Sequence, residues 1–306
     1  VEVSLMLEAR AFEPEFLKKL DRLALGIKRA RTVRAGTRTL GRVQGLGIEP
    51  ENFREYAAGD DLRFLDWNAY ARLDQLSIRT FRADRQVELT ILIDASASMA
   101  FPARDDKLGL ALALGAALAY VGMSENDPVR MAAFAMRRNE MHLEATGFHR
   151  RRESYLEFKP FVAAVKCGGE TRIGAAVDDL LHHRRPAGIV IVISDFLVNQ
   201  SDYEDALARL VLARHEVKAV HVMGEIESTG EYPPGLVRVR DAETGEMRET
   251  VFGPEAAAAC RRKVEAISAR VREFCTGRGI TYTRAFGAAS LETFFEHELA
   301  ALGVVR

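Results

Sequence analysis

The sequence has few cysteines and no long apolar run, and both shortages bear on where the protein works. It contains three cysteines in 306 residues, with no Cys-x-x-Cys pair, and an odd count in a chain of this size suggests reduced thiols inside a cell. No unbroken apolar run approaches the ~18 residues of a membrane span, and no basic segment leads into an apolar signal core. These features predict a cytoplasmic protein without a membrane span.

An excess of charge of one sign is also missing. The 43 Lys and Arg residues nearly balance the 44 Asp and Glu residues, so no nucleic-acid partner is expected. The basic segment Lys28–Arg42 lacks aromatic residues that could stack on bases. We interpret it as a solvated loop, with nucleic-acid binding as the alternative. The sequence also contains no Gly-x-x-x-x-Gly-Lys-Ser/Thr run, so any ATP-driven work would come from a partner.

The stretch Val87–Met99 carries the first positive signal. Its segment Leu89–Ile93 is a short apolar run, typical of a strand buried on both faces of a parallel sheet. Asp94, Ser96 and Ser98 follow at alternate positions. One carboxylate and two hydroxyls suit a hard cation such as magnesium, and ligands usually bind at this edge of such a sheet. The structural alternative is that Asp94 ends the strand and a serine caps the next helix.

Two later segments supply further oxygen atoms. Gly168–Thr171 precedes a helical pattern, and Thr171 either contributes its hydroxyl to a site or caps that helix. Ile189–Ser194 is a second buried strand, directly followed by an aspartate. The order Asp-x-Ser-x-Ser, Gly-Gly-x-Thr and strand-Ser-Asp resembles the metal-ion-dependent adhesion site of von Willebrand factor A domains. The matching positions are Asp94, Ser96, Ser98, Thr171 and Asp195.

The sequence upstream of this site resembles a narrower family. The motifs that carry the resemblance are Gly47-Ile48-Glu49, Phe53-Arg54-Glu55-Tyr56, Gly59-Asp60-Asp61-Leu62-Arg63, Asp66-Trp67 and Ala71-Arg72. They are similar to those of the bacterial domain-of-unknown-function-58 family, whose members carry a von Willebrand factor A-like domain. The resemblance covers about residues 30 to 200. One departure is Ala57-Ala58, where the family often has proline, and it affects only the expected rigidity of the turn.

The order of the helical and strand patterns predicts an α/β fold. After Thr171, helices alternate with short buried strands, which implies right-handed crossovers and a doubly wound, mostly parallel sheet flanked by helices. The family resemblance implies the same von Willebrand factor A-like fold. We predict two domains: residues 1–85 form an N-terminal helix and a charged extension characteristic of the family, and residues 86–306 form the von Willebrand factor A-like domain.

The resemblance also implies a function. Ser96 and Ser98 are expected to bind the metal directly, and Thr171, Asp94 and Asp195 to complete the site. The expected ion is Mg²⁺, with Mn²⁺ or Ca²⁺ as substitutes. Two carboxylates roughly neutralise such an ion, so a Glu or Asp of another protein is expected in the remaining position. Family members are similar to partners of MoxR-type AAA+ ATPases. This implies a non-enzymatic, metal-dependent adaptor between such an ATPase and an unknown client.

The main alternative is a magnesium-dependent phosphatase or phosphotransferase with Asp94 as the nucleophile. Such enzymes usually have a second aspartate two residues later, where this sequence has Ser96, so the leaving group lacks an obvious proton donor. A hydrolase using Ser96 or Ser98 would need a nearby histidine, and none of the seven histidines lies in a recognisable nucleophile motif. We therefore assign no catalytic residue.

Overall fold

The computed structural model describes residues 9–35, 50–56, 65–73, 75–81, 87–102, 104–138, 140–183, 185–230, 234–240, 247–286 and 291–302. The helices are α1 (Pro14–Ala35), α2 (Trp67–Leu73), α3 (Lys107–Ser124), α4 (Phe158–Ala164), α5 (Ile173–His182), α6 (Gln200–Leu212), α7 (Glu225–Thr229), α8 (Pro254–Gly277) and α9 (Leu291–Leu302). The strands are β1 (Pro50–Glu55), β2 (Ser77–Phe81), β3 (Leu89–Asp94), β4 (Val129–Arg137), β5 (Glu140–Ala145), β6 (Ile189–Ser194), β7 (Glu216–Met223), β8 (Gly235–Arg240), β9 (Met247–Phe252) and β10 (Thr281–Phe286). Short 3₁₀ helices occur at Ala97–Ala100 and Arg152–Glu157.

The chain divides into two compact units. The smaller unit spans Arg31–Gln86, and the larger unit combines the chain up to Ala30 with the chain from Val87 onward. The prediction placed residues 1–85 in one domain, whereas this division assigns the chain up to Ala30 to the larger unit. Phe16 and Leu20 of α1 are buried in the hydrophobic core of the larger unit, so this helix packs with the main sheet domain.

The smaller unit contains an antiparallel strand pair. In it, β1 pairs with β2, and the Tyr56 N–H donates a hydrogen bond to the Leu76 carbonyl at 2.9 Å. The family motifs Gly47–Glu49 and Gly59–Arg63 lie outside the described residues, as do the side chains of the basic segment Lys28–Arg42.

The larger unit is organised around a six-stranded sheet with the order β10-β7-β6-β3-β4-β5. The first five strands in this order run parallel, and β5 is antiparallel to β4 at the edge. Such parallel neighbours require helical crossovers between them, and the alternating helices supply these. The predicted fold class, a doubly wound and mostly parallel sheet flanked by helices, is confirmed.

Hydrophobic cores lie on both faces of the sheet because side chains alternate along each strand. Ile91 and Ile93 of β3 belong to a cluster that includes residues of α1, α3, α4 and α9. Leu92 belongs to the opposite cluster, together with residues of α5, α6 and α8. The central strands are therefore rigidly held at the edge where they end, and this edge carries the aspartates predicted from the sequence.

Helix α3 is buried almost over its whole length. Among the described residues, it is the one helix long and apolar enough, by length and composition, to cross a membrane. A helix covered on all sides by strands and other helices needs the same composition. Glycine residues divide the apolar side chains of α3 into runs that are each shorter than a membrane span.

Candidate metal centre

Two carboxylates meet at the carboxyl edge of the sheet. Asp94 is the last residue of β3, Asp195 directly follows β6, and these strands are parallel neighbours. The Ser194 hydroxyl donates a hydrogen bond to Asp94 Oδ2 at 2.6 Å, which joins the two strand ends. Asp94 and Asp195 are both almost completely buried, so they share an environment that excludes bulk water.

The two serines lie in the loop after β3. The Ser96 N–H donates to Asp94 Oδ1 at 2.9 Å, and the hydroxyl oxygens of Ser96 and Ser98 are 3.0 Å apart. Ser96 stands at the start of the 3₁₀ helix Ala97–Ala100, but its side chain makes no capping hydrogen bond within the described part of the chain. The alternative prediction of a helix-capping role is therefore wrong for Ser96.

Backbone hydrogen bonds fasten the glycine turn before α5 to the serine loop. The Gly168 N–H donates to the Ala95 carbonyl at 2.9 Å, and the Ala97 N–H donates to the Gly169 carbonyl at 2.9 Å. Thr171, two residues farther along and buried, is thereby brought to the loop that carries the serines.

Gly169 permits this turn. Its φ is 83°, and an added Cβ atom would lie 2.0 Å from the carbonyl oxygen of Met136. The next residue, Glu170, exchanges two backbone hydrogen bonds with Met136, at 2.8 and 2.9 Å. The turn therefore packs against β4 on one side and the serine loop on the other, and only glycine fits both contacts.

Helix α5 obtains its N-terminal cap from another helix. Asp202 of α6 accepts hydrogen bonds from the N–H groups of Ile173 at 2.8 Å and Gly174 at 3.3 Å. This carboxylate satisfies donors that have no partner within a helix. The capping role that the sequence offered for Thr171 is thus performed by Asp202.

The two aspartates repel each other. The pKa of Asp94 is raised from its ordinary value of 3.8 to about 7, chiefly because the carboxyl is buried and also because of the charge of Asp195, while hydrogen bonds from Ser194 and Ser96 offset part of the rise. Two buried carboxylates are costly to keep ionised without a nearby cation. The set of two carboxylates and three hydroxyls consists of oxygen donors, which hard cations prefer. The residues therefore fit the ion that the resemblance implies.

Lys107, at the start of α3, also belongs to this centre, although it was not predicted. Its side chain is 1% exposed, and its Nζ lies 2.8 Å from Asp195 Oδ2 and 2.9 Å from Glu227 Oε1. Burial lowers the pKa of Lys107, but the two carboxylates outweigh burial and raise it overall. The sequence held one signal: Lys107 is the single charged residue of an otherwise apolar helix, and a buried ammonium requires an anionic partner.

The charge balance of the centre leaves room for a divalent cation. When Asp94, Asp195 and Glu227 are ionised, three negative charges face the one positive charge of Lys107, which leaves two negative charges. Asp195 already accepts hydrogen bonds at both oxygens, from Lys107 and from the Leu197 N–H at 3.1 Å. Lys107 therefore neutralises only part of the negative charge of the centre.

Fold and site together define a von Willebrand factor A-like domain, in which the carboxyl edge of a doubly wound sheet collects two aspartates and three hydroxyl residues. Within that class, the chain belongs to the family described as protein of unknown function DUF58, whose family model matches residues 52–273. The family predicted from the sequence motifs is thereby confirmed.

The chain is also similar to individual relatives and to solved structures. An uncharacterized protein of Mycobacterium tuberculosis is 30% identical over 252 residues, covering 81% of this chain and 78% of the relative. The conserved hypothetical protein BatB from Bacteroides thetaiotaomicron is similar with a TM-score of 0.42 and 20% identity, covering 71% of this chain and 98% of that chain. An aerotolerance-related membrane protein from Bacteroides fragilis has a TM-score of 0.38 and 19% identity, covering 70% and 98%. The SpRpn10 VWA domain has a TM-score of 0.37 and 10% identity, covering 69% and 93%.

These comparisons contradict the cytoplasmic localisation predicted from the sequence. Two of the similar structures come from proteins described as membrane proteins, the aerotolerance-related one from Bacteroides fragilis and an uncharacterized membrane spanning one from Vibrio fischeri. The prediction relied on the shortness of unbroken apolar runs and on a missing signal core, and neither absence determines where a protein is located. The cytoplasmic assignment is therefore withdrawn.

Proposed function

We propose that the protein is a non-enzymatic, metal-dependent interaction module that acts as an adaptor for a MoxR-type AAA+ ATPase. One observation supports the metal centre above all others. Three distant parts of the sequence contribute oxygen-bearing side chains to one edge of the sheet. Asp202 caps α5 and Lys107 neutralises the charge of Asp195, so neither task falls to the proposed ligands. The contributed residues are Asp94, Ser96, Ser98, Thr171 and Asp195.

Each residue has a distinct part in the proposed site. Ser96 and Ser98 are direct ligands, because their oxygens are 3.0 Å apart and adjacent oxygens around an octahedral Mg²⁺ are separated by about 3 Å. Thr171 supplies the third hydroxyl. Asp94 and Asp195 act through bridging water, since their oxygens already accept hydrogen bonds from the protein. When bound, the ion offers a position to a carboxylate of another molecule.

Exposed apolar side chains near the metal ligands suit a protein partner. Phe101, which follows the serine loop, is 53% exposed, and Leu197, two residues after Asp195, is 38% exposed. Aromatic and aliphatic groups around a polar centre supply the area that a binding interface buries. A partner carboxylate on the metal would fix the orientation, and the apolar contacts would add affinity.

The ATPase partner is proposed from the family resemblance and from the missing nucleotide-binding run. In this proposal the ATPase hydrolyses ATP, and the chain delivers a client through its metal-bound carboxylate contact. The prediction is tested by immobilising the chain and adding a purified MoxR-type ATPase from the same genome. Retention in Mg²⁺ that is lost in chelator is expected. Equal retention in both buffers, or none in either, would contradict metal-dependent coupling.

The enzymatic alternative is less compatible with the geometry of Asp94. A nucleophilic carboxylate needs an accessible oxygen, whereas Asp94 is buried and both its oxygens accept hydrogen bonds. Incubation of the protein with p-nitrophenyl phosphate and Mg²⁺ tests this alternative. Turnover that is lost in Asp94→Asn would support the phosphatase and contradict the adaptor proposal.

The metal centre is tested by calorimetric titration of Mg²⁺ and Mn²⁺ into metal-free protein. We expect saturable binding that is lost in Ser96→Ala and Ser98→Ala, because each variant removes a direct ligand and little volume. Ser154→Ala, in the 3₁₀ helix Arg152–Glu157, is the matched control and should bind like the unmodified protein. Binding that persists in both ligand variants would contradict the site.

A further inference from the structure

A groove extends from the metal centre to helix α8. Its volume is about 580 Å³, within the range of ~300–1,000 Å³ that is usual for ligand sites. The walls come from the metal-site turn, the segment after Asp195, and one face of α8. Its lining includes Glu170, Arg172, Leu197, Tyr203, Lys263 and Arg270. Because Thr171 also lines the groove, a ligand in it would lie beside the metal ligands.

The walls of the groove are predominantly positive. Arg172 pairs with Glu170, the one acidic side chain of the lining, at 3.5 Å. Lys263 and Arg270 are exposed and form no ion pair or hydrogen bond with any described residue. These two cations are seven residues apart on α8, so they lie on one face of the helix with about 10 Å between their positions. Two carboxylates three residues apart in an extended segment of polyproline II type lie on one face at nearly the same separation.

A tyrosine hydroxyl adds a neutral donor inside the groove. The Tyr203 side chain is 3% exposed, and its hydroxyl forms no hydrogen bond with a described residue. Burial raises the pKa of Tyr203 to about 12, so the hydroxyl stays protonated at neutral pH. The hydroxyl belongs to the lining of the groove and can donate its hydrogen bond to a bound ligand. Tyr203 and Arg270 line the same groove, so both can contact an acidic ligand bound in it.

We propose that this groove binds an acidic, extended peptide segment of the partner protein, and that the same segment supplies the carboxylate to the metal. Arg172, Lys263 and Arg270 attract its acidic side chains, and Tyr203 donates a hydrogen bond to one of them. Leu197 contacts the aliphatic part of the segment. The inference rests on the proposed function in one respect, namely that a partner carboxylate reaches the metal.

The test uses fluorescein-labelled hexaglutamate and hexaglutamine as probes, with the full chain in saturating Mg²⁺ and fluorescence anisotropy as the readout. Hexaglutamate is expected to bind, and hexaglutamine to bind at least about tenfold more weakly. Arg270→Glu and Lys263→Glu should each weaken hexaglutamate binding by about tenfold, because they place like charges opposite the ligand. Tyr203→Phe should weaken it several-fold through the loss of one hydrogen bond to a charged group.

Arg262→Glu is the matched control. Arg262 lies on the same helix and is likewise exposed, but it is outside the lining of the groove. This variant therefore makes the same charge change and should alter affinity less than about twofold. Equal weakening by Arg262→Glu and Arg270→Glu would mean diffuse charge attraction and would overturn the groove proposal. Equal binding of the two peptides would also overturn it.

A metal titration separates the two proposals. If Mg²⁺ binds by calorimetry but the groove variants leave hexaglutamate affinity unchanged, the groove proposal fails and the metal centre stands. If Mg²⁺ does not bind but Arg270→Glu selectively weakens hexaglutamate, the groove proposal stands and the metal-dependent function fails.

Discussion

Lys107 holds its ammonium group between two carboxylates that lie 88 and 120 residues farther along the chain. Lys107→Met keeps much of the side-chain volume but leaves Asp195 and Glu227 buried without their cation. We expect the metal-free variant to be about 3–5 kcal/mol less stable, as is usual when one partner of a buried ion pair is removed. Urea unfolding in chelator measures this change.

Magnesium should reduce the loss in Lys107→Met, since a bound cation partly replaces the missing positive charge. The control is Lys159→Met, which alters an exposed lysine and should change the free energy of unfolding by less than about 0.5 kcal/mol. If Lys107→Met and Lys159→Met had equal stabilities, the ion pairs would not stabilise the fold.

Asp94 gives the metal-free protein a specific pH dependence. Its folded-state pKa of about 7 lies above the ordinary 3.8, so the folded state binds a proton that the unfolded state has released between these values. The contribution of Asp94 to stability is therefore present below about pH 4 and is lost as the pH rises toward 7. Magnesium binds the ionised form, so the increase in melting temperature that Mg²⁺ causes should be larger at about pH 8 than at about pH 5.

Thermal unfolding across this pH range, with and without chelator, measures both effects. Asp94→Asn removes the titrating group and should abolish the pH dependence of the magnesium effect along with most of the effect itself. A magnesium effect of constant size from pH 5 to 8 would contradict the assignment of Asp94 to the centre.

Among single residues, the sequence indicated the proposed metal ligands but not the residues that hold the ligands and α5 in place through hydrogen bonds. Asp94 and Ser96 could be found because they occur in one short motif after a recognisable strand. Ser194, which bonds Asp94, and Asp202, which caps α5, could not be assigned, because their partners become neighbours only after the strands and helices have packed. Such long-range pairings leave no local pattern in the sequence.

Among the structural elements, the glycine turn before α5 most directly determines where Thr171 lies. Gly169→Ala combines a positive φ with a Cβ atom that would lie 2.0 Å from a backbone oxygen. We expect it to destabilise the protein by more than about 1 kcal/mol and to weaken Mg²⁺ binding, because the turn must move. Urea unfolding and metal titration measure the two consequences.

Gly168→Ala is the matched neighbour. An added Cβ at Gly168 would have its nearest atom 3.7 Å away, at Arg137 Nε, so this variant should keep both stability and metal affinity. If Gly168→Ala and Gly169→Ala behaved alike, the turn would not control the position of Thr171.

Helix α7 illustrates which elements sequence patterns miss. It has five residues, too few to show the helical repeat of apolar positions. The Asp105 carboxylate accepts the Ile226 N–H at 3.0 Å, and Glu227 pairs with Lys107. Longer elements such as β3 and β6 were predictable, because their apolar runs are buried on both faces.

On the scale of the larger unit, the helices α1 and α9 pack against each other on one face of the sheet. Phe16 of α1 and Phe295 of α9 are buried, with ring centroids 6.1 Å apart. Phe295→Ala should destabilise the protein by about 3–5 kcal/mol through lost burial and a remaining cavity. Its Mg²⁺ affinity should stay unchanged, because the metal centre lies at the carboxyl edge of the strands.

Urea unfolding and calorimetry test this separation. Phe294→Ala, at a partly buried neighbour, should cost less stability than Phe295→Ala. A loss of magnesium affinity in folded Phe295→Ala would show that the helices α1 and α9 affect the metal centre.

The alternation of helices and strands predicted the sheet type, but the association of α1 with α9 was not predictable, since amphipathic helices do not specify their partners.

The buried ammonium of Lys107 also bears on how the protein matures in the cell. Because it already accompanies Asp195 and Glu227, a newly synthesised chain can close its core before any ion arrives. We expect folding to come first and metal loading second. The fraction of protein that holds the metal would then depend on the concentration of free magnesium and on binding of a partner. Metal binding would be a reversible event that takes place after folding is complete.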